Sequence, residues 1–96
     1  MSLLSNPSHP GEVLTELYLK PLGISPIALA TRLEVPRTRI ERLVKQETSL
    51  SADSAIRLAT FFKTTPEYWM NLQRAWDLAR ARQTVDTSGI RPLEAA

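Results

Sequence analysis

The 96-residue chain contains no cysteine. Disulfides and thiolate metal sites are excluded, and a reducing compartment such as the cytoplasm is the expectation. It contains one histidine, His9. Zinc takes three or four protein ligands, so a lone histidine beside a helix start reads as a capping or packing group, and no metal or other cofactor is expected. No apolar run approaches the roughly 18 residues of a membrane span. The N-terminal "MSLLSNPSHPGEV" lacks the basic and apolar regions of a secretory signal. Alternating β-branched runs are missing, so no strand is expected. A catalytic constellation is missing as well. Asp53 and Glu47 have no partnered acid or base, and Ser51 and Ser54 have no histidine at a readable spacing. No catalytic residue is assigned.

What is present is helical periodicity. The length suits one domain, and 43% hydrophobic residues suit a folded one. A first helix begins near Pro10 in "HPGEVLTELYLK", with Val13, Leu14, Leu17 and Tyr18 on one face, and ends at "KPLG". In "SPIALATRL", Ser25 caps a second helix and Pro26 takes its first position, with Ile27, Ala30, Leu29 and Leu33 pointing inward. Pro36 opens a third helix over residues 36–45. Ser51 caps a fourth, with Leu50 as a staple and Ala55, Leu58, Ala59 and Phe62 as its stripe. Thr65 and Pro66 open a fifth, along which Trp69, Leu72, Trp76 and Ala79 recur. "QTVDTSGIRPLEAA" follows as a tail. Five helices with short links define an all-α domain. The few residues between the second and third give helix-turn-helix spacing.

Charge is concentrated in one place. Residues 36–46 hold Arg37, Arg39, Arg42 and Lys45 against Glu41, an excess larger than the +2 net charge of the whole chain. Such a local excess suggests a patch for a polyanion. At about 100° per residue, Ile40, Leu43 and Val44 share one arc of the third helix and must face the core. Thr38 and Arg42 lie on the opposite arc, and Arg37 and Arg39 flank it. Arginine's planar fork suits guanine and phosphate, and threonine can touch a thymine methyl. Helix-turn-helix proteins read base edges with the N-terminal end of this helix.

"LATRLEVPRTRIERLVKQETSLSADSAIRLATFFKTTPEYW" resembles the Xre/lambda-repressor-like helix-turn-helix superfamily. "HPGEVLTELYLKPLGIS" before it and "YWMNLQRAWDL" after it narrow the resemblance to HigA-type antitoxins. The likeness covers about residues 9–82, leaving an N-terminal extension at 1–8 and a C-terminal tail at 83–96. It implies a five-helix lambda-repressor-like DNA-binding domain. It also implies a homodimer that represses its own operon at a double-stranded operator, an inverted repeat, and that binds a RelE-like ribonuclease toxin. The base-reading positions match Arg37, Thr38 and Arg42. Phosphate contacts fall at Ser25 and Arg39, with Lys45 and Gln46 added at the end of the third helix. Where the superfamily usually has glutamine, this chain has Pro26. Where it usually has glycine it has Glu34, Gln46 and Lys63, and Glu47 replaces a common basic residue. If those three backbones keep positive φ, each costs about 1 kcal/mol or somewhat more. Otherwise the turns have relaxed to other geometries.

Trp69, Leu72 and Trp76 on the fifth helix read as core, or as a dimer or toxin interface, where tryptophan is enriched. Two other readings stay open. One is a solitary regulator without a toxin, and the other is a toxin-covering module with weak DNA binding.

Overall fold

A computed structural model describes residues 7–94. Most of the extension at 1–8 and the last two residues of the tail lie outside the described residues. Five helices form the domain: α1 (Pro10–Leu22), α2 (Pro26–Leu33), α3 (Arg37–Val44), α4 (Ala52–Phe62) and α5 (Pro66–Thr84). The described residues contain no strand. No single helix among them is long and apolar enough to cross a membrane.

Each helix starts for a readable reason. His9, Ser25, Ser51 and Thr65 are extended and use a side-chain atom to accept a first-turn amide of α1, α2, α4 and α5. α3 begins one residue later than expected. Pro36 is its N-cap, at φ −59° and ψ 141°, with no side-chain cap.

The first four helices stop at a left-handed residue: Gly23, Glu34, Gln46 and Lys63, with φ between 58° and 66°. After α1, α2 and α3 the next two amides close the pair of bonds of a Schellman turn. Examples are Gln46 N to Leu43 O and Glu47 N to Arg42 O, both 2.9 Å. The three non-glycine positions keep positive φ, so the turns have not relaxed. Ile24 and Val35, the residues after two of these turns, fold back onto the core.

The core is built from Leu14, Leu29, Leu33, Ile40, Leu43, Leu50, Leu58 and Trp69, all buried. Two inward expectations are corrected. Leu17 is exposed because α1 widens into π geometry over Leu14–Leu19, where Lys20 N bonds Thr15 O. The wider turn brings Leu19, five residues after Leu14, into the core instead. Pro21 accounts for the widening. It lacks a donor, and its ring needs room at the carbonyl four residues back. Ile27 is also exposed, since Leu29, Ala30 and Leu33 define the buried arc of α2 and Ile27 lies well to one side of it.

Candidate nucleic-acid interface

Helix α3 is docked on one side and free on the other. Ile40 and Leu43 are buried and Val44 is half-buried against the same core. Arg37, Thr38, Arg39 and Arg42 are exposed. Neither Arg37 nor Arg42 makes an ion pair among the described residues. The free face opens on a concavity of about 430 Å³ lined by Thr38, Arg39, Arg42, Thr48, Ser49 and Ser51 among others. One wall is thus guanidinium and the other is a hydroxyl-bearing loop ahead of α4.

Arg39 is arranged differently from the other two arginines. Its Nη1 donates to Asp53 Oδ1 at 2.6 Å. The same oxygen accepts from Arg57 Nε at 2.7 Å, and Arg57 Nη1 donates to the Leu33 carbonyl at 2.8 Å. Hydrogen bonds from Arg57 and then Arg39 hold the Asp53 carboxyl below its usual range. Asp53 lies in the first turn of α4, where a carboxylate suits the helix dipole. Its side chain goes further and bridges α3 to α4. Nothing in the local spacing of Asp53 and Arg39, fourteen residues apart, signals this pair.

The other positions proposed for phosphate are at the surface. Ser25 Oγ accepts from Ala28 N at 3.1 Å, which leaves its hydroxyl proton free to donate outward. Lys45 and Gln46 are exposed at the end of α3, beside exposed Glu47.

Two buried polar side chains, neither assigned a site role from sequence, fix the loop behind this face. His9 Nδ1 accepts from Gly11 N at 2.9 Å, and the ring also bonds the Thr48 backbone. Burial pushes the His9 pKa below 6.5. Gln73 Oε1 accepts from Leu50 N at 2.7 Å, while its Nε2 donates to Asp77 at 2.9 Å. A sequence signal for Gln73 did exist, because it lies four residues after Trp69, in phase with the stripe that faces the core.

Trp69 is wholly buried, with its Nε1 donating to Thr64 Oγ1 at 2.8 Å. It is a core residue and cannot serve as an interface residue. Leu72 and Trp76 are half-buried. The Trp76 ring meets His9 edge-on at 5.2 Å and lies under the Arg80 guanidinium at 5.3 Å.

A short turn between two helices, the second docked by its apolar side and open on its arginine side, defines a helix-turn-helix protein of the DNA-binding class. The family model described as helix-turn-helix matches residues 16–69. Virulence-associated protein I of Dichelobacter nodosus is 45% identical over 75 residues, which span 78% of this chain and 69% of that protein. A Pseudomonas aeruginosa protein solved in complex with its operator DNA superposes at a TM-score of 0.85. It is 40% identical, over 88% of this chain and 95% of that one. The Pseudomonas aeruginosa antitoxin HigA, solved with the higBA promoter, superposes at 0.82 with 38% identity, over 92% and 99%. The chain belongs to the helix-turn-helix family, in its Xre-like, HigA-type antitoxin branch. This is a family of DNA-binding antitoxins and regulators and not of enzymes.

Proposed function

We propose that this protein is the antitoxin of a HigB/HigA-type pair, represses its own operon, and neutralises a RelE-like ribonuclease toxin. In this reading residues 9–82 form the DNA-binding domain. Arg37, Thr38 and Arg42 read base edges in the major groove. Ser25, Arg39, Lys45 and Gln46 hold phosphates. The protein acts as a homodimer on an inverted repeat, with recognition helices about 34–36 Å apart or a multiple of that. Of the three fifth-helix residues named from the sequence, Leu72 and Trp76 are the two placed to meet a partner.

The observation that carries the DNA half is the solvent-facing Arg37–Thr38–Arg42 set, its arginines without an ion pair among the described residues, on a helix whose opposite side is locked into the core. The operator-bound relatives support it, since their chains follow the same fold over most of their length. The toxin half is supported by the similarity to HigA.

A gel shift of the purified protein on the DNA upstream of its own gene, with random DNA as competitor, tests the first half. A band that random DNA removes as readily as unlabelled upstream DNA would defeat sequence-specific repression. Co-expression with the neighbouring gene tests the second. Failure of an untagged, compact ribonuclease to co-purify, or to lose activity, would leave a regulator without a toxin.

A further inference from the structure

Arg39 already holds an anion. Its Nη1 sits 2.6 Å from Asp53 Oδ1, on the rim of the concavity that faces the proposed duplex. Both side chains are about half exposed, at 41% and 55%, and exposed pairs of this kind are weak and exchangeable. Asp53 also has a second partner that does not depend on Arg39. Arg57 grips the same oxygen at 2.7 Å and is itself pinned to the Leu33 carbonyl at the end of α2. If Arg39 swings away, the carboxylate is still paired.

We propose that Asp53 is an internal stand-in for a DNA phosphate, so that Arg39 binds DNA by exchanging one anion for another. The inference rests on the DNA-binding reading above. Asp53 then sets how strongly the protein holds any duplex, because phosphate contacts carry no sequence information. The arrangement lowers non-specific affinity while leaving the base-reading arginines untouched. Arg37 and Arg42 have no carboxylate partner among the described residues.

The test is a double-mutant cycle on a random-sequence duplex at low salt, read by fluorescence anisotropy and repeated across a salt series. D53A should tighten binding about two- to five-fold, the range an exposed pair allows. It should also steepen the salt slope by up to about 0.9, one phosphate's worth. D53N should move both quantities in the same direction by less, because asparagine still accepts a hydrogen bond. In an R39A background the Asp53 substitutions should change neither quantity. An equal gain in that background means the carboxylate merely repels DNA, and the exchange is wrong. Weaker binding by D53A means Asp53 orients Arg39 productively, and the exchange is again wrong. Wild-type protein that binds neither the random nor the upstream duplex removes the DNA reading, and the exchange with it. Normal wild-type binding with an inert Asp53 removes the exchange alone.

Discussion

At the scale of single residues, the tightest constraint is Gly11. A Cβ there would lie 1.9 Å from the Leu43 carbonyl oxygen and 2.9 Å from its carbon. Both are backbone atoms of α3, so no side chain can move aside. The start of α1 is thus packed directly onto the end of the recognition helix. G11A should destabilise the fold by about 2 kcal/mol or more, as overpacking against rigid atoms does. Urea unfolding would measure it, and a midpoint equal to wild type would show that α1 and α3 slide apart freely. The left-handed residues predict the opposite sign. E34G, Q46G and K63G each relieve a Cβ clash at φ near 60°. Glycine's greater freedom in the unfolded chain offsets part of the gain, so each variant should stabilise by about 0.5–1 kcal/mol. Loss of stability in all three would mean that their side chains make contacts outweighing the strain. These three positions were legible in the sequence, because a residue stood where a helix-ending glycine is usual. Gly11 was not, since close approach of two backbones leaves no mark in local spacing.

At the scale of elements, legibility depended on whether the helix kept a regular period. α3 did: Ile40 and Leu43 are buried and Arg42 is out, as about 100° per residue requires. α1 did not, because the π turn slipped its phase after Leu14 and replaced Leu17 by Leu19. The regularity of α3 permits a sharp prediction about the proposed roles of its residues. R42A should cost about 1–3 kcal/mol on the operator and relax discrimination at one base pair. K45A should weaken operator and random duplexes alike and flatten the salt slope by about one unit. Identical behaviour of the two variants in salt titrations would mean that the helix lies on the backbone and does not enter the groove. Arg39 is no substitute for Lys45 in this comparison, since Asp53 already compensates its charge.

At the scale of the whole molecule, the loop at residues 45–51 is where three parts of the chain meet. α1 reaches it through His9 and α5 reaches it through Gln73, so the helix farthest along the chain helps set the wall facing the recognition helix. Sequence order hides such a junction. His9 lies among prolines near the N-terminus, and its partner Thr48 sits on the far side of the helix-turn-helix. This geometry ties the fold to pH. His9 is 3% exposed, and its Nδ1 must stay unprotonated to accept the Gly11 amide. Burial depresses its pKa, against smaller opposing effects from the Thr48 backbone, Asp77 and Glu12. The unfolded chain therefore binds this proton more readily than the folded one. The stabilisation is complete above the ordinary value of 6.5 and is lost as pH falls from there through the lower folded value. Asparagine at this position can still cap the helix but does not titrate. Urea midpoints taken from neutral pH downward should fall more steeply for wild type than for H9N, with the difference opening below pH 6.5. Parallel curves would show that the His9 proton is not excluded by the fold. Curves that diverge above 6.5 instead would mean that His9 is held charged, the reverse of what its hydrogen bond from Gly11 demands.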